Sequence, residues 1–92
     1  MMIKVKNLNG TSDNNPPIGY ASWKAWWETK ARSKFGTCSC SDCRSFAQVG
    51  AHVQKVGSDN RWYIVPLCSP CNTGKKNQEF YVREEDLVAV NS

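Results

Sequence analysis

Apolar positions along this chain follow two rhythms, and the change between them divides it into elements. From Trp23 to Phe35 the spacing is helical: Trp23, Trp26, Trp27, Ala31 and Phe35 recur at intervals of three and four, leaving Lys24, Glu28, Lys30, Arg32 and Lys34 for other faces. Ser22 is placed to cap that helix through its hydroxyl, and Gly36 supplies a stop. From Phe46 to Gln54 and from Arg61 to Leu67 the pattern is that of strands, most clearly in the aromatic and β-branched run Trp62-Tyr63-Ile64-Val65. Gly57-Ser58-Asp59-Asn60 between them is turn chemistry. Ser69 and Pro70 form an N-cap and first-position pair that opens a short helix through Cys71, Asn72, Lys75 and Lys76. Met2 to Val5, Phe80 to Val82 and Leu87 to Val90 read as short strands, the last two flanking an acidic turn. Asn7 to Gly19, with Asn15-Pro16-Pro17, reads as a loop.

These elements predict a small α+β fold in a single domain over residues 1–92, with no internal repeat and no linker. Apolar burial alone leaves a thin stability margin at this size. Four tryptophans, three tyrosines and three phenylalanines supply much of the core. The tryptophan stripe also invites comparison with base-stacking aromatics, but its amphipathic spacing is already explained by packing of the helix on the rest of the domain.

The cysteines change the picture. Cys38-Ser-Cys40-Ser-Asp-Cys43 and Cys68-Ser-Pro-Cys71 are two closely spaced groups that bracket the hairpin, with the single histidine, His52, between them. Paired thiolates at these spacings each supply two corners of a tetrahedral zinc site. The second pair is Cys68 and Cys71; the first is Cys43 with either Cys40 or Cys38, leaving one thiol spare. A structural Zn2+ bound only by the folded state would add the stability that a small core lacks. Five cysteines cannot all be paired as disulfides. Charges in Met1–Lys6 and the lack of any membrane-length apolar run further favour a reducing, cytoplasmic setting.

Charge is unevenly spread. Residues 1–37 hold six Lys/Arg against two acids and residues 38–78 five against two, whereas the tail from Glu79 onward holds Arg83 against Glu79, Glu84, Glu85 and Asp86. A basic body suits contact with phosphates, and ordinary solubilising charge is the plainer reading of the same numbers.

Knuckle, hairpin with a histidine, second knuckle and short helix follow the order of a treble-clef zinc finger. More narrowly, Cys40-Ser-Asp-Cys43, Gly50-Ala51-His52-Val53, Leu67-Cys68-Ser-Pro-Cys71-Asn72 and Lys75 resemble the zinc-stapled HNH endonucleases over residues 38–76. The same Gly-Ala-His-Val and Trp-Tyr-Ile-Val-Pro-Leu-Cys elements are similar to a group of small stand-alone zinc proteins, a likeness that implies no activity. The HNH resemblance implies a ββα core elaborated by the tryptophan helix and the terminal strands. It implies His52 as general base, Asn72 as ligand of a second divalent ion such as Mg2+, and Asn60 as the residue that orients the base. Lys75 and Lys76 would then hold substrate phosphates, and Arg61 is a further candidate nucleic-acid contact. Ala51 stands where many family members carry a further metal ligand.

Two functions follow as expectations. One is a zinc-binding, HNH-like domain that binds DNA or RNA and hydrolyses phosphodiesters with a second divalent metal. The other is a non-catalytic zinc finger whose zinc is purely structural and which binds nucleic acid or a protein partner. Under either, His52 has a plain structural alternative as a satisfied core histidine or a fourth zinc ligand.

Overall fold

The computed structural model describes residues 1–8, 16–41, 43–57, 61–74 and 78–90. Their elements are β1 (Met2–Asn7), α1 (Trp23–Ala31), β2 (Val49–Lys55), β3 (Tyr63–Leu67), α2 (Ser69–Gly74), β4 (Glu79–Arg83), a 3-10 turn (Glu84–Asp86) and β5 (Val88–Ala89). The five strands form one sheet in the order β4-β1-β2-β3-β5, and every neighbouring pair is antiparallel. The protein is thus a small α+β fold.

Each face of the sheet carries its own core. On one, Val5, Ala51, Val53, Val65, Leu67, Phe80 and Val82 pack with Cys38, Cys40 and Cys68. On the other, Ile64 meets Trp26 and Trp27 of α1, with Trp23, Phe35 and Val88 packed around them. β3 lies between both cores and all five of its residues are buried, which explains its continuous rather than alternating apolar run. Pro66 is tolerated there because β5 pairs only with Tyr63 and Ile64, so the missing N–H faces no strand.

α1 follows the sequence reading at its start and departs from it at its end. The Ser22 hydroxyl accepts from the Ala25 N–H at 3.0 Å. The helix stops at Arg32, not Gly36, with Arg32 in the left-handed region at φ 56° and its N–H returning to the Glu28 carbonyl. Glu28 reinforces this end, its carboxylate accepting from the Phe35 N–H at 2.8 Å. The tryptophans pack α1 onto the sheet, as their spacing predicts, and Trp27 Nε1 donates to the Asp86 carbonyl at 2.8 Å.

Two other boundaries move. β1 runs on to Asn7, two residues beyond the expected strand, because its odd positions continue into the core. Phe46 is not part of β2; it pairs with Thr37 in an isolated bridge that closes the first cysteine loop.

Candidate metal centre

Four thiols converge at one end of the sheet. The sulfurs of Cys38, Cys43, Cys68 and Cys71 all lie within 4.8 Å of one another. Those of Cys43 and Cys68 are 3.6 Å apart. A tetrahedral ion with metal–sulfur bonds of about 2.3 Å requires sulfurs about 3.8 Å apart, so the donors fit such an ion.

Backbone hydrogen bonds decide which cysteines take part. The Cys38 N–H donates to Ser45 O at 2.7 Å, Ser39 N–H to Pro66 O at 2.8 Å and Ser41 N–H to Tyr81 O at 2.9 Å. The first cysteine loop is therefore stitched to the end of β3 and the outer edge of β4. Cys40 pairs with Val82 in that stitching and is buried in the core, outside the four-sulfur cluster. Of the two cysteines that the sequence leaves open, Cys38 lies with Cys43 in the cluster, and Cys40, which the HNH likeness would use, lies outside it.

The electrostatics of the thiols suit a cation. Burial pushes the Cys38 thiol up to about 11, opposed by backbone N–H groups of Cys68 and Cys40. Burial also raises Cys71, reinforced by the neighbouring cysteines. Cys43 moves the other way, to about 7, chiefly because the Ser45 N–H donates to its sulfur. Holding all four as thiolates in this cluster would cost free energy unless a positive charge stood among them.

Of the other expected site residues, His52 and Asn72 are not brought to one place. Ala51 and Val53 belong to the cysteine-side core, so His52 between them points to the opposite face, towards α1. Its ring stands edge-on to Trp23 at 4.8 Å and to Trp62 at 5.7 Å. His52 is 7% exposed, and its Nε2 is buried without a hydrogen-bond partner among the described residues. Burial lowers its pKa. Asn72 sits on the cysteine side, where its carbonyl accepts from Asn7 Nδ2 at 2.9 Å. Asn7 pairs with Val53 and is itself buried. The sheet therefore separates His52 from Asn72, and the residues facing Asn72's side are Ala51 and Val53.

Arg61 is exposed just before β3. Asn60, Lys75 and Lys76 lie outside the described residues. Sequence reasoning missed Asn7, which joins β1 to α2; the signal was the continued alternation of Ile3, Val5 and Asn7. It also missed a cavity of about 360 Å³ beside the first cysteine loop, lined by Arg44 and Arg83 with Ser39 and Ser41.

No protein-family model, curated protein or solved structure matches this chain. Among the described residues no helix is long and apolar enough to cross a membrane.

Proposed function

We propose that this chain is a treble-clef zinc module that binds nucleic acid and does not itself cut it. The observation that carries the reading is the all-cysteine cluster of Cys38, Cys43, Cys68 and Cys71. Four sulfur donors favour zinc over harder ions, and four protein ligands fill its tetrahedral shell with no position left for substrate or water. The order cysteine loop, β2–β3 hairpin, Cys68 and α2 supports the treble-clef assignment.

Excess Lys and Arg before Glu79 supports a polyanionic partner. Against hydrolysis stands the placement of His52, which is enclosed by Trp23 and Trp62 on the face away from Asn72. A general base must reach the proton it abstracts, directly or through one water. The HNH likeness is then one of element order, without the catalytic pairing.

Metal analysis of the purified chain, combined with binding and cleavage assays, tests the proposal. The expected result is one zinc per chain, oligonucleotide affinity that falls steeply with salt, and intact plasmid after incubation with Mg2+ or Mn2+. Metal-dependent nicking that His52→Ala abolishes would overturn the non-catalytic reading. Binding that is absent at low salt would overturn the nucleic-acid reading.

A further inference from the structure

α1 covers only part of its face of the sheet, packing on β2, β3 and β5. Among the described residues, no helix covers β1 and β4 on the same face. The β1 side chains there are Met2, Lys4 and Lys6, all exposed, since Ile3, Val5 and Asn7 turn to the cysteine-side core. Lys4 pairs across the ladder with Tyr81 and Lys6 with Glu79, while Met2 pairs with Arg83. Tyr81 is 47% exposed in the middle of this surface, with the Lys4 ammonium 5.7 Å from its ring centroid.

The cationic character continues past the end of the strands. Met2 and Arg83 also line the cavity of about 360 Å³ that Arg44 borders next to the first cysteine loop. Lys6, Lys4, Arg83 and Arg44 thus run from the sheet face into that cavity, with one open aromatic ring among them. Lys4 is loosely paired with Glu79 at 3.9 Å, and Arg83 is held by Asp86 at 2.7 Å and by the Thr37 carbonyl at 3.0 Å. Among the described residues Lys6 and Arg44 make no ion pair and are exposed.

We infer that the open β1–β4 face is the docking surface for single-stranded nucleic acid, with Tyr81 stacking on a base and Lys6, Lys4 and Arg44 tracking the phosphates. This rests on the nucleic-acid reading above and gives it a location and a strand preference. A tyrosine ring standing among cations matches the π-face and the charge of an unpaired nucleotide, whereas a duplex hides its base faces. The six residues of β1 span about 20 Å, enough for a few nucleotides. A protein partner suits the surface less well, because interface centres are depleted in lysine and this one is built around it.

Fluorescence anisotropy with a labelled twelve-nucleotide oligo-dT, against the zinc-loaded chain, tests the inference. Tyr81→Ala should weaken single-strand binding between about 5- and 150-fold. Lys6→Ala and Arg44→Ala should each flatten the dependence of log affinity on log salt by about 0.7. Lys30→Ala, on exposed α1, should change neither. These side chains are exposed, and unchanged zinc content and circular dichroism will show that the variants fold. Wild-type binding that survives Tyr81→Ala and Lys6→Ala unchanged would overturn this surface while leaving the nucleic-acid reading standing. Tighter binding of a duplex of the same length, insensitive to Tyr81, would likewise overturn it. Failure of the wild type to bind any oligonucleotide at low salt would instead remove the reading on which it rests.

Discussion

Asn7 Nδ2 donates to the Asn72 carbonyl at 2.9 Å, tying β1 to the short helix that contains Cys71. Sixty-five residues of chain separate the two partners. α2 has only six residues and no buried residue of its own, so it depends on such tethers to hold Cys71 in place. Asn7→Ala removes a buried donor and should destabilise the fold by about 1–3 kcal/mol. Because the lost contact tethers the helix that carries Cys71, a proposed zinc ligand, zinc affinity should fall as well. Urea unfolding and competition with a chromophoric chelator would measure the two effects; a stability loss with unchanged zinc affinity would show that Cys71 is held without Asn7.

The two candidate first-loop ligands should behave oppositely. Cys38→Ser removes a sulfur from the cluster, whereas Cys40→Ala leaves all four sulfurs in place. Native mass spectrometry should find one zinc in Cys40→Ala and a weakened or lost ion in Cys38→Ser. Cys40 is 3% exposed, so its truncation should cost about 1 kcal/mol as a small cavity. On the proposed zinc reading, excess chelator should unfold both the wild type and Cys40→Ala, because a site absent from the unfolded chain couples metal binding to folding. Zinc loss in Cys40→Ala alone would reverse the assignment.

At Gly50 the start of α1 lies close against β2. A Cβ there would meet Ile64 Cγ2 at 2.9 Å, Trp23 Cβ at 3.0 Å and the Trp23 carbonyl carbon at 3.1 Å. Gly50→Ala should therefore push the start of α1 away from β2, at a cost of about 1–3 kcal/mol. A lowered urea midpoint, with tryptophan fluorescence shifted to the red, is the expected outcome. An unchanged midpoint would mean that α1 moves freely at this contact.

Much of this fold was legible because local chemistry and tertiary packing agree. Ser22 caps the tryptophan helix as its position predicts, and the aromatic and β-branched run at Trp62–Val65 supplies most of β3. The cysteine spacing located the cluster but not its membership. Cys40 is set apart from Cys38 by its pairing with Val82, a contact forty-two residues away in sequence that spacing does not encode. The placement of His52 was not legible for a related reason. Its neighbours Ala51 and Val53 are apolar, and only the two-layer packing decides which side of the sheet is the cysteine side. The open face of β1 and β4 depends in turn on where α1 sits, which no periodicity in β1 reveals.

His52 should make stability fall on mild acidification. Its ring is packed between Trp23 and Trp62, and Nε2 has no partner among the described residues to stabilise a second proton. Burial places its folded-state pKa below the ordinary 6.5. Above that value both folded and unfolded chains carry a neutral ring, so the site contributes no pH dependence. As pH falls through 6.5, the unfolded chain takes up a proton that the folded chain refuses, and stability drops. The loss continues until the pH reaches the depressed folded value. His52→Phe keeps an aromatic ring in the space and removes the titration. Between pH 7.5 and 5.5 the wild type should lose unfolding free energy more steeply than His52→Phe, with zinc content checked at each pH so that thiolate protonation is counted separately. Parallel pH profiles for the two chains, with zinc retained in both, would show that the ring finds a proton partner in the folded state.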